Sequence, residues 1–102
     1  MLDITIYEQE GRLVAALNGD LDNAASSKAE RSLVPVFERT DSDIVIDLTK
    51  LNYISSSGLR IVLKVFKHVR CNGKKAILKG MKQDIEEVFF LSGFLQLFEI
   101  ED

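Results

Sequence analysis

A chain of 102 residues, 46% hydrophobic and with a net charge of −3, has room for one domain around one core and is too apolar to stay disordered. The acidic balance excludes a general nucleic-acid binder, which needs a basic face. No apolar run approaches the ~20 residues that span a bilayer, so no membrane partner is expected.

The N-terminus, Met1-Leu2-Asp3-Ile4-Thr5, lacks the basic and apolar regions of a signal peptide. The single Cys71 cannot form an internal disulfide, and with the single His68 it cannot build a His/Cys zinc site. The expectation is one cytoplasmic domain over 1–102, monomeric, with no metal and no cofactor.

Ile4 to Glu8 alternates apolar and polar residues, Glu10-Gly11 reads as a turn, and Leu13 to Leu17 continues as a second strand, which predicts a hairpin. Gly19-Asp20-Leu21-Asp22 closes that strand. Asp22 or Asn23 then caps a helix through Ala25, Ala29, Leu33 and Phe37, an apolar face at helical spacing. Pro35 falls inside the pattern and removes one intrahelical bond, which predicts a kink or a tightened last turn.

Asp43 to Leu48 is short and β-branched, as in a strand buried on both faces of a helix-covered sheet. A serine-rich loop follows, then a helix from about Ser57 to Val69. After the turn Asn72-Gly73, Lys74 to Lys79 forms another strand. The next helix runs from about Gln83 to Leu91, with Asp84, Glu86 and Glu87 in its first turns and Gly93 as its stop. Leu97 to Ile100 is a short terminal strand or an extended tail. Helices alternating with strands after an opening hairpin give an α/β fold, a mixed sheet with helices packed on it.

The run Asp47-Leu48-Thr49-Lys50-Leu51-Asn52-Tyr53-Ile54-Ser55-Ser56-Ser57-Gly58-Leu59 is the most informative segment. It places hydroxyls at a helix start, where unpartnered N–H groups and the positive end of the dipole favour negative charge. A serine there tolerates a phosphate without damage to its own fold. The plainer role for Ser56 or Ser57 is an N-cap. A serine nucleophile would need a base within hydrogen-bond reach, yet His68 lies twelve residues further along the same helix, about 18 Å of rise. Ile54 also stands where a Gly-x-Ser-x-Gly elbow needs glycine. No Gly-rich phosphate loop is present.

In the helix after the serines, Leu59, Val62, Leu63, Phe66 and Val69 are spaced to face the core. That leaves Ile61 and Val65 on another face, bordered by Lys64 and His68. They serve either packing against a neighbouring helix or a small apolar patch with a basic rim that docks a partner. Near the C-terminus, Phe89, Phe90, Phe94, Leu95, Leu97 and Phe98 are mostly core, together with Ile85 and Val88, while Phe90 or Phe94 stays exposed. Asp20, Asp22 and Asp47 fit caps and surface acids better than a metal site. His68 reads as a solvated helix residue and Cys71 as a small, at least partly buried hydrophobe.

The ordered segments Gly19-Asp20-Leu21-Asp22, then Asp47-Leu48-Thr49-x-Leu51-x-Tyr53-Ile54-x-Ser56-Ser57-Gly58-Leu59, then Phe90-Leu91-Ser92-Gly93-Phe94, resemble a STAS domain across essentially the whole chain. Within that family the resemblance is to the stand-alone bacterial anti-sigma factor antagonists. It implies a binding protein, not an enzyme, whose unphosphorylated form binds an anti-sigma factor that is also an ATP-using serine kinase, freeing the sigma factor. The kinase phosphorylates the first serine of Ser-Ser-Gly, the complex dissociates, and a serine phosphatase resets the switch.

Carried over by position, the phosphoacceptor is Ser56, beside Ser57 and Gly58. The family commonly has Asp before the phosphoserine. Here that residue is Ser55, which alters kinase recognition or offers a second acceptor; Ser57 is the other alternative. The implied docking face comprises Asp20, Asp22, Asn23, Ser55, Ser57, Gly58, Ile61, Lys64 and Val65. A STAS interaction module of another signalling or transport-related assembly is the alternative.

The physics suits a switch. A phosphate adds about −1.5 to −2 charge, and desolvating it against a partner can remove ~3 kcal/mol, over a hundredfold in affinity.

Overall fold

The computed structural model describes all 102 residues. Strands β1 (Leu2–Gln9) and β2 (Arg12–Leu21) pair antiparallel, with Gln9 opposite Arg12. Their two-residue loop, Glu10-Gly11, takes positive φ at both positions (55° and 76°), the primed turn whose twist matches the strands it joins.

On the other side of β2 lie two short parallel strands, β3 (Ile44–Asp47) beside Leu13 to Ala16 and β4 (Leu51–Ile54) beside Gly19 to Leu21. Asp47 Oδ1 turns the chain between them by accepting from Thr49 N (3.0 Å) and Thr49 Oγ1 (2.6 Å). Strands β5 (Ala76–Lys79) and β6 (Glu99–Glu101) extend the sheet in parallel, so the order is β1-β2-β3-β5-β6 with β4 off β2. The mixed α/β sheet expected from the sequence is present. Strand β4 corrects the expectation of a loop there. Only Leu51 and Ile54 of its four residues are buried, so it carries no alternation to read.

The first helical segment is not one kinked helix but two, α1 (Ser26–Ser32) and α2 (Val34–Glu38), meeting at Leu33. Pro35 sits in the first turn of α2, where its missing N–H removes no intrahelical bond. The helix-capping expectation is corrected too. The N-cap of α1 is Ala25, and Asp22 instead closes the turn before it, accepting from Ala25 N at 2.8 Å.

Helices α3 (Ser56–Cys71) and α4 (Gln83–Leu91) follow, the latter with the predicted bounds and with Gly93 (φ 80°) after its end. A single 3-10 turn, Leu95–Leu97, leads into β6. No helix is long and apolar enough to cross a membrane.

The helices and one face of the sheet share a single core. Leu13, Ala15, Leu17, Ile44, Ile46 and Leu78 meet Ala29, Val36, Val62, Val69 and Phe89 there. The alternate residues Val14, Val45 and Ile77 form a small second cluster on the opposite sheet face. Strand β3 is thus buried on both faces as predicted, although its second face is not helix-covered. Across that face Arg12 of β2 reaches Glu101 of β6 at 2.7 Å, over the intervening β3 and β5.

Phe90 is 65% exposed, whereas Phe94 packs against the core. Two minor expectations are corrected. Cys71 is exposed, on the last turn of α3. His68 is not merely solvated: its Nε2 lies 2.7 Å from the Arg39 carbonyl, and its ring meets Phe37 edge-on at 5.7 Å.

Candidate functional site at the start of α3

The parallel pairing of β4 with β2 delivers the chain to the α3 N-terminus. Ser55 N donates to Leu21 O at 2.9 Å, anchoring the junction to the end of β2. Ser55 then adopts an extended backbone (φ −90°, ψ 173°), and its Oγ accepts from Gly58 N at 3.1 Å. It is the N-cap of α3, which corrects the expectation that Ser56 or Ser57 fills that role. Only 7% of Ser55 is exposed, so its hydroxyl serves the fold.

Ser56 is the first residue of α3. It is exposed, and its hydroxyl makes no side-chain hydrogen bond. Ser57 differs from both neighbours. Its Oγ donates to Asn23 Oδ1 at 2.5 Å and lies 3.1 Å from Ser55 Oγ and 2.9 Å from Ser26 Oγ. A hydroxyl carries one proton. With that proton on Asn23, the Ser55 hydroxyl donates to Ser57, and Ser26 divides its own between Ser57 and Asp22 O at 3.0 Å. The network ties the start of α3 to the turn before α1.

Gly58 contributes packing and not a contact for a partner. It is buried, and a Cβ on it would lie 2.7 Å from Leu21 Cγ and 2.8 Å from Leu21 O. Only glycine lets α3 approach β2 this closely. Of the preceding loop, Asn23 is exposed and touches the site directly. Asp22 holds its own turn, and Asp20 faces the Met1 ammonium at 3.5 Å.

Ile61 and Val65 are the main correction. They are 3% and 1% exposed and belong to the core. Helices α1 and α2 lie across α3, so its apolar surface is wider than one helical stripe and takes in both residues. No apolar docking patch exists there. Lys64 is exposed and pairs with Glu30 at 3.0 Å.

The outward stripe of α3 is basic instead. Ser56, Arg60, Lys64 and Lys67 are all exposed and follow steps of four, four and three. The helix carries Arg60, Lys64, Lys67 and Arg70 and no Asp or Glu. Sequence reasoning passed over Arg60 and Lys67, yet the absence of any acid from α3 of a net-acidic chain was a readable signal.

His68 lies in the last turn of α3, far from Ser56. No group of three His, Cys, Asp or Glu side chains gathers to hold a metal.

Comparison with known proteins places this geometry. The STAS domain family model matches residues 3–102. The putative anti-sigma factor antagonist BtrV of Bordetella bronchiseptica is 35% identical over 99 residues, covering 97% of this chain and 85% of that protein. Among solved structures, an anti-sigma factor antagonist from Mycobacterium paratuberculosis matches with a TM-score of 0.88 at 17% identity, over 99% of this chain and 86% of the other. The phosphorylated form of SpoIIAA from Bacillus matches with a TM-score of 0.72 at 19% identity, over 96% and 90%. At those identities the two structures speak for the fold.

Proposed function

The chain belongs to the STAS domain family, and from that premise we propose that it is an anti-sigma factor antagonist switched by phosphorylation of Ser56. The unphosphorylated protein binds an anti-sigma factor that is an ATP-using serine kinase and so releases the sigma factor. Phosphorylation by that kinase ends binding, and a serine phosphatase restores it. The protein itself performs no catalysis in this scheme and works in the cytoplasm.

One observation carries the choice of Ser56: among three adjacent serines it alone presents an exposed hydroxyl with no intramolecular partner. A phosphate on Ser55 would displace the α3 cap, and one on Ser57 would break its bond to Asn23. The similarity to BtrV supports the class of function.

The docking face is the outer stripe of α3, Ser56, Arg60, Lys64 and Lys67, flanked by Asn23. Its positive charge suits an acidic partner surface. A phosphate at Ser56 adds about −1.5 to −2 charge at the head of that stripe, repelling the same partner without refolding the domain.

The test is capture from native-source lysate with wild type, Ser56→Ala and Ser56→Asp as baits, and identification of bound proteins by mass spectrometry. Wild type and Ser56→Ala are expected to capture an ATP-binding serine kinase that Ser56→Asp loses. Incubation with that kinase and ATP is expected to phosphorylate wild type and not Ser56→Ala. Equal capture by all three would overturn the switch and favour a STAS interaction module of another assembly.

A further inference from the structure

Arg60 follows Ser56 by four residues on α3. At that spacing two helical residues lie one above the other, with Cβ atoms about 5–6 Å apart. The later side chain leans back toward the helix N-terminus, here toward Ser56. Arg60 is exposed and takes part in none of the ion pairs of the structure and in no side-chain hydrogen bond. Among the lysines, Lys28 Nζ donates to Leu2 O at 3.0 Å, Lys64 pairs with Glu30 and Lys82 donates to Asn52, whereas Lys67 is exposed and unpaired like Arg60 but stands about three turns from Ser56. The first turn of α3 holds no acidic residue to compete.

We propose that Arg60 is an intramolecular clamp for a phosphate on Ser56. This rests on the reading of Ser56 as the phosphoacceptor and adds a second action to the switch. In the unphosphorylated chain Arg60 is free to meet an acidic group of the partner. Once Ser56 carries a phosphate, the guanidinium pairs two of its oxygens and is withdrawn from the docking face. Phosphorylation therefore adds negative charge and removes a cation in one event.

The experiment installs phosphoserine at position 56 during synthesis of the full chain and titrates the phosphate by phosphorus NMR. The second ionisation of phosphoserine ordinarily falls near pH ~6. In the otherwise wild-type chain it is expected below the value in Arg60→Gln by about 0.2–0.4 pH unit. Arg60→Lys, which keeps the charge but not the two-oxygen fork, is expected to restore only part of the difference, and Lys64→Gln, one turn further from the phosphate, to leave it intact. Identical titration of wild type and Arg60→Gln, or an equal shift from Lys64→Gln, would overturn the clamp. The phosphate is put in place without a kinase, so this result stands apart from the lysate capture that tests Ser56 as the natural acceptor.

Discussion

Ser57 Oγ donates to Asn23 Oδ1 at 2.5 Å, joining the start of α3 to a turn 34 positions earlier in the chain. This contact holds the candidate docking loop against the serine cluster, and its energy is measurable. Asn23→Ala and Ser57→Ala are each expected to lower the unfolding free energy by about 1 kcal/mol. The double variant should lose less than the sum, because each single change already removes the bond they share. Urea unfolding of the four proteins checks this; strict additivity would mean the bond contributes nothing.

Ser55 caps α3 through its acceptance of the Gly58 N–H. Ser55→Ala should therefore cost about 1 kcal/mol, a fall of roughly 4–8 °C in Tm for a domain of this size. Ser55→Asp should retain wild-type stability or exceed it, since a carboxylate caps equally well and also meets the positive end of the helix dipole. Thermal unfolding followed by circular dichroism distinguishes the two. This equivalence also gives a physical account of how the chain departs from the Asp that the family commonly carries here: the replacement keeps the cap.

Gly58→Ala sets two effects against each other. Alanine is better than glycine in a helix by about 1 kcal/mol, but its Cβ would lie within 3.0 Å of Leu21 and Ile54 atoms, one of them a backbone oxygen. Forced overpacking of this kind costs about 1–3 kcal/mol. Because backbone has little room to yield, the net expectation is a loss, read as a lower urea midpoint. An unchanged midpoint would show that α3 can shift away from β2 without cost.

The Arg12–Glu101 pair makes a pH prediction. The hydrogen bond from Arg12, aided by its charge, holds the Glu101 carboxyl below the ordinary carboxylate range. The unfolded chain therefore takes up that proton first as pH falls. The stabilisation is present above the unfolded value of about pH 4.3 and disappears as pH drops through the lower folded value. In Glu101→Gln the fall in Tm between pH 7 and pH 3 should be shallower, and Tm at pH 7 should be lower. Both partners reach solvent, so 0.5 M salt should shrink the difference. Parallel acid limbs in the two proteins would remove the pair from the account.

Legibility followed the range of the interactions involved. Helix α4 could be read from end to end because its acids, its apolar face and Gly93 all lie within a dozen residues. Strand β4 could not. Two of its four residues are exposed, and pairing with the far end of β2 makes it a strand. The division of labour among the serines was equally hidden, because Ser57 is occupied by Asn23 and Ser26, which only the fold brings near.

The sequence by itself determined that a hydroxyl cluster stands where a strand hands over to a helix, that no base accompanies it, and that the helix beyond it is basic. These are matters of residue type and spacing along one segment. Tertiary structure alone decided that Ser55 caps, Ser57 bridges and Ser56 is free. It also decided that Ile61 and Val65 are core, because α1 and α2 cover a face of α3 that a helical repeat would leave in water. Burial depends on which distant segment arrives, and no periodicity within the segment itself encodes that.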